Sequence, residues 1–309
     1  MKYKYKILSL LLIFALAVTT APIKVEAAST PAQVKSVKVK NVKKYYKGWL
    51  GEGNKKTKVA YDCLELSWKK VKGASGYEIY RYGNASKVWH KIKTITKGKT
   101  TKYILPEMIK GYKVKIKVVA YKKKSSGKVY GKESKILSFT PKKYYWLNGI
   151  IKTKNYNPID PVGNYRFMSE DAFVIQNKYR TEKGIAPLEW DESLYEMAKI
   201  RSKELTKKCS HGRPNGENYQ SVADEYYKKN ITDDIPLLFN KFRENIAWGF
   251  AYPKDAMKAW KNSPGHYDTI KMKNLKYGAI SVYESVNSNY WVSLMTEPKL
   301  DDIANSIEN

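Results

Sequence analysis

Two periods alternate along this chain. From Leu64 to Trp68 the period is two: Leu64, Leu66 and Trp68 share one face, Glu65 and Ser67 the other. Tyr77 to Tyr82 repeats it after the turn-forming Lys72 to Gly76. Tyr112 to Tyr121 shows it most clearly, with Val114, Ile116 and Val118 opposed by Lys113, Lys115 and Lys117. Apolar residues alternating with lysine predict half-solvated antiparallel strands, and several of these at regular spacing predict a β-sandwich. Beyond residue 168 the period becomes helical. Ser169 reads as an N-cap, with Ala172, Phe173, Ile175, Gln176 and Tyr179 following and Gly184 as the stop. Asp191 caps a second helix whose stripe is Leu194, Met197, Ala198, Arg201 and Leu205. Further helices are expected around Tyr219 to Lys228, near Ile235 to Phe242, and through Lys254 to Asn262, the last ending at Ser263-Pro264-Gly265. Strands at Tyr277 to Glu284 and Tyr290 to Thr296 close the pattern. Helices followed by a hairpin predict an α+β domain.

The domain plan follows. Residues 1–27 have a basic start, an uncharged apolar run and small residues at the cut, as in a secretory signal peptide. A β-sandwich is expected over 29–143, a linker rich in Tyr, Asn, Pro and Gly over 144–168, an α+β domain over 169–298, and a polar tail over 299–309. Of the chain's net charge of +29, residues 29–154 carry +27 (33 basic, 6 acidic) and residues 155–309 carry −1 (21 basic, 22 acidic). So uneven a distribution points to separate partners for the two domains. The basic half suits an anionic wall polymer or membrane surface. Nucleic acid is disfavoured, because the signal-like start predicts export and no nucleic-acid module is visible. Cys63 and Cys209 make no disulfide framework and are expected as small buried hydrophobes. Trp190, Trp248, Trp260 and Trp291 are expected in the core.

The candidate chemistry sits in three short stretches: Ser210 to Gly216, Glu244 to Gly249, and Trp260 to His266. They hold two of the chain's three histidines, His211 and His266, and the carboxylate Glu244. Three readings are open. The set can bind zinc or another divalent metal with positions left free. It can act as a hydrolase, with a histidine as general base and Ser263 or water as nucleophile. It can be a hydrogen-bonded network that pins loops. Arg213 and Asn215 are expected to stabilise the turn after His211, and Asn245 to bond loop backbone.

Two resemblances bear on this. Residues 67–81, 112–121 and 134–140 resemble a fibronectin type III domain, with Trp68 as its core tryptophan and Tyr112 at the start of the strand bearing the family's buried tyrosine. The stretch Tyr45 to Asp62 departs from that pattern. Residues 177–205, 210–218, 244–249, 259–270, 277–283 and 290–295 resemble, in order, the motifs of the CAP superfamily in its bacterial SCP-like form. That resemblance implies an α-β-α sandwich with a cleft in which paired histidines and acids meet, built here from His211, Glu244 and His266. The family's second cleft glutamate has no clear counterpart, Glu217 being a weak substitute. The family further implies a lipid or small ligand as an occupant of the cleft. Secreted or wall-associated binding is therefore expected ahead of catalysis, with adhesion as a further alternative.

Overall fold

The structure is a computed structural model describing residues 30–49, 56–143, 163–230, 242–285 and 288–297. The signal-like segment, most of the linker, the helix expected near Ile235 and the tail lie outside the described residues.

The N-terminal part is largely β-sheet. One sheet runs β1 (Lys38–Trp49), β2 (Lys56–Ser67), β5 (Lys102–Leu105). The other runs β4 (Trp89–Ile95), β3 (Gly76–Tyr82), β6 (Val114–Lys124), β7 (Gly127–Tyr130), with β8 (Leu137–Phe139) also paired to β6. Both sheets contribute to one core: Leu64 and Leu66 of β2, Leu105 of β5, Tyr77 and Ile79 of β3, and Val114, Ile116 and Val118 of β6. Trp68 packs edge-on against Tyr77 with ring centroids 5.2 Å apart. The stretch Tyr45 to Asp62 lengthens the β1–β2 hairpin: pairing continues from Lys38↔Ser67 out to Trp49↔Lys56, whereas β5 pairs only with Leu64 to Ser67. Cys63 is buried, and burial pushes its thiol up to about 11. Tyr112 is half-buried and packs against the C-terminal domain.

The C-terminal domain has three layers. Its sheet runs β10 (Glu189–Trp190), β12 (Tyr277–Glu284), β13 (Asn289–Thr296), β11 (Arg243–Trp248), with β9 (Gly163–Asn164) on β12. Alternation on these strands feeds two cores. Ile280, Val282, Trp291 and Met295 face α1 (Arg166–Thr181), α4 (Pro253–Asn262) and α5 (Pro264–Ile270). Ala279, Val292, Leu294 and Ile246 face α2 (Glu192–Glu204) and α3 (Val222–Asn230). Asp191 caps α2, accepting from the Leu194 amide at 2.8 Å. A 3-10 turn at Tyr219–Ser221 leads into α3.

Several expectations need correction. The linker assigned to 144–168 ends earlier, because Gly163–Asn164 pairs with β12 and α1 begins at Arg166. Ser169 is therefore no N-cap. It lies inside α1, donating to the Tyr165 carbonyl at 2.7 Å and accepting from the Val282 amide at 3.0 Å. Ser263-Pro264-Gly265 ends α4 but also opens α5, with proline in its first turn, where its missing N–H costs nothing. Cys209 is exposed, since it lies in the turn after Lys207-Lys208 and not on the buried stripe. Trp248 is 56% exposed at the end of β11, and Trp190 is half-buried; only Trp260 and Trp291 are full core residues.

The start of α1 joins the two domains. The Glu107 carboxylate, from the β-rich part, accepts from the amides of Phe167 (2.8 Å) and Met168 (3.2 Å) and so caps the helix. Arg81, only 2% exposed, lies 4.0 Å over the Phe167 ring and donates to the Glu107 carbonyl at 3.2 Å. Glu170 accepts from the amides of Ala85 and Ser86, the Ser86 hydroxyl and Arg166 Nε, and lies 3.3 Å from His90 Nε2. Gly83 makes room for it: a Cβ there would fall 2.4 Å from Glu170 Oε2. Asp171 accepts from Asn84 Nδ2 at 2.8 Å, and its other oxygen has no partner.

The acids of this joint titrate in opposite directions. Burial works against the charged form of Glu170, but the bonds from His90, Arg166 and the Ala85 amide outweigh it and hold the carboxyl at about 2. Burial wins at Asp171, raising it to about 7 against the pull of Arg81 and Asn84, with Glu107 and Glu170 adding repulsion. A carboxyl raised in the folded state binds its proton more tightly there than in the unfolded chain. Stability from Asp171 is therefore full below about pH 4 and lost as pH rises to about 7. Asp171→Asn should remove that fall. Denaturant midpoints of variant and parent should diverge in the variant's favour between pH 5 and 8, by a few kcal/mol at most. Parallel profiles would contradict the assignment.

Candidate functional site

The cleft forms around β11, which among the described residues pairs with β13 alone. Alternation along β11 sends Glu244 towards α2 and Asn245 towards α5. Glu244 is held from two sides. Arg201 of α2 donates to it through Nε (2.8 Å) and Nη2 (3.2 Å), and His211 Nδ1 lies 3.0 Å from Oε1. With Arg201 supplying two donors, the carboxylate acts as acceptor, which assigns the His211 proton to Nδ1 and leaves Nε2 free. The His211 side chain is 54% exposed while that of Glu244 is fully buried. On the other side, Asn245 Nδ2 donates to the His266 carbonyl at 3.0 Å, fixing the first turn of α5. His266 Nδ1 lies 2.8 Å from Ser263 Oγ, and its ring sits over Trp260 with centroids 6.5 Å apart. Burial lowers the His266 pKa, and His211 lies near enough for its charge to lower it further. The two imidazoles are therefore coupled electrostatically, with His211 held by Glu244 and His266 by Ser263.

Of the three expected residues, Glu244 and His211 bond each other, while His266 is tied to Asn245 and Ser263, so they are not three equivalent ligands. Both Glu244 oxygens are taken, and among the described residues no group of three His, Cys, Asp or Glu is placed to hold a metal ion. A metal in this cleft would have to be bound by the two imidazole nitrogens, with Glu244 orienting one of them. A carboxylate accepting from the far nitrogen of a ligating histidine is the usual support of such sites. The hydrolase arrangement is divided. Ser263 pairs with His266 and Glu244 with His211, so no single histidine bridges acid and nucleophile as a triad requires.

Glu217 is not in the cleft. It accepts from Ser221 Oγ (2.6 Å) and Asn215 Nδ2 (2.9 Å) and belongs to the turn organised by Arg213. Arg213 itself is buried, donating to Glu204 and Glu225. Arg201 is the residue that sequence reasoning missed. It stood on the apolar stripe of α2, and a buried arginine there requires a carboxylate opposite.

Residues 175–295 match the model of the cysteine-rich secretory protein family, CAP. The uncharacterized protein YkwD of Bacillus subtilis strain 168 is 30% identical over 113 residues, 36% of this chain and 40% of that protein. The chain thus matches about two fifths of that relative's length. Among solved structures, an extracellular SCP-domain protein of Bacillus anthracis is 13% identical, with 73% of this chain and 87% of that chain covered and a TM-score of 0.37. A cysteine-rich secretory protein of Staphylococcus aureus is 14% identical, with 87% of each chain covered and a TM-score of 0.34. TM-scores of this size carry no argument about function.

Proposed function

We propose that this chain, whose residues 175–295 form a CAP domain, is an exported binding protein with two working surfaces. The β-rich part, with its net +27 over residues 29–154, holds the protein to an anionic polymer or surface outside the cell. The order of its two sheets and the buried Trp68 support a fibronectin type III-like assignment. The apolar leader within residues 1–27 supports export.

The CAP cleft takes a divalent transition-metal ion, zinc or one of like preference, through His211 and His266. The observation that carries this is the chain Arg201–Glu244–His211. A buried ion pair fixes the carboxylate, the carboxylate fixes the tautomer, and the exposed His211 ring is left within electrostatic reach of a second imidazole. Bound metal would supply a Lewis acid with open positions, able to hold a small anionic ligand. Binding is favoured over hydrolysis because Ser263 and Glu244 address different histidines.

The test is a calorimetric zinc titration of the metal-stripped mature chain. One equivalent should bind, and His211→Ala and His266→Ala should each abolish it while keeping the parent's melting curve. Absence of binding by the parent would leave the three residues as a network that pins loops.

A further inference from the structure

The outer face of the five-stranded sheet, turned away from the core, is neither a plain solvated face nor a stacking platform. At its centre lies a carboxylate. Glu78 on β3 is fully buried, and accepts from Tyr80 Oη (2.6 Å), Tyr130 Oη (3.1 Å) and Lys128 Nζ (2.8 Å), with Lys91 Nζ at 3.6 Å. Burial opposes its charge, but the bonds from Lys128, Tyr80 and Tyr130 prevail and keep it at about 2. Glu78 thus locks two aromatic rings and a lysine in place.

Around it, ammonium groups lie on aromatic faces. Lys115 Nζ is 4.7 Å from the Tyr82 centroid, Lys117 Nζ is 4.6 Å from Trp89 and 5.6 Å from Tyr80, and Lys128 Nζ is 4.6 Å from Tyr121. Tyr82 and Trp89 brace each other edge to face at 5.3 Å. Each ring attracts a cation and restricts a long, flexible side chain. Free lysines lose rotamer entropy when ordered; here much of that ordering precedes any encounter. Lys115 has no carboxylate partner among the described ion pairs. Lys117 pairs with Glu133, which is 59% exposed and readily exchanged for another anion.

We propose that this face is the docking surface for a polymer of phosphodiester-linked polyols, read by fixed ammonium groups. The proposal rests on the anion-binding role given above to the β-rich part and assigns it a location. The covered rings decide the partner. Single-stranded nucleic acid needs open aromatic faces for its bases, and here lysines occupy them. A polymer with phosphate charge and no bases requires only the cations.

The experiment uses the mature chain and immobilised poly(glycerol phosphate) of defined length. The parent should bind, more weakly as salt rises. Lys115→Gln with Lys117→Gln should weaken binding at least tenfold. Lys69→Gln with Lys70→Gln, two exposed lysines that follow β2 in the other sheet, should weaken it no more than about twofold. Tyr82→Leu, which keeps every charge, should weaken it several-fold with an unchanged salt slope. Should the double variant melt early, Lys115→Gln alone, which breaks no ion pair, carries the test. Equal losses in the two lysine pairs would overturn the location and leave the anion-binding role standing. No binding by the parent would overturn both. Tighter binding at equal salt to single-stranded DNA, or to vesicles of phosphatidylcholine with 30% phosphatidylglycerol, would overturn the choice of partner.

Discussion

Arg201→Met should destabilise the CAP domain by about 3–5 kcal/mol, the usual cost of stranding one partner of a buried ion pair. Arg201 is fully buried, and it donates to Glu244, to Glu204 (2.6 Å) and to the Ser210 carbonyl (3.1 Å). Its removal strands the buried Glu244 carboxylate, with His211 as its one remaining partner among the described residues. Denaturant unfolding followed by tryptophan fluorescence reads the loss. Replacing both charges, Arg201→Met with Glu244→Gln, should cost much less than the two single losses together, since neither charge is then stranded. The zinc binding proposed for the cleft should fail in both backgrounds, because His211 loses the clamp that orients it. Full stability in Arg201→Met would mean that Glu244 is satisfied by water, and the positioning argument would fall with it.

The second large effect is expected at the joint. Arg81→Met removes the cation that faces Glu107 and Asp171 and the guanidinium stacked on Phe167. The loss should again be about 3–5 kcal/mol, but its form should differ. With the helix cap and its cation uncoupled, the β-rich part and the CAP domain should melt as two calorimetric transitions where the parent shows one. A single transition, merely shifted, would show that Arg81 stabilises its own domain and not the docking.

Legibility in the sequence tracked the locality of the cause. The start of α2 and both ends of β12 could be read because their determinants lie inside them: Asp191 caps its own helix, and Tyr277 to Glu284 is bounded by its own pattern. The start of α1 could not, because its amides are satisfied by Glu107, 60 residues upstream. Glu244 to Trp248 was noticed as a motif and missed as a strand, since Ile246 and Ala247 face opposite cores and erase the alternation. The histidines of the cleft stood out by scarcity. Which nitrogen each would present did not, because that depends on Arg201, filed among the apolar residues of its stripe. The aromatic supports under the lysines were equally silent: Lys115 and Tyr82 lie on different strands, brought together only by the register of β3 on β6.

The cap donated by Glu107 also bears on the order in which the molecule comes into being. Glu107, Arg81 and the residues from Gly83 to Val88 all precede Arg166 in the chain, and the β-rich part that holds them has its own core. Where that part folds first, the first helix of the CAP domain meets a template with its acceptor already set. Its nucleation, the costly step for any helix, becomes docking onto a surface, and the upstream domain acts as a folding scaffold for the one that follows it.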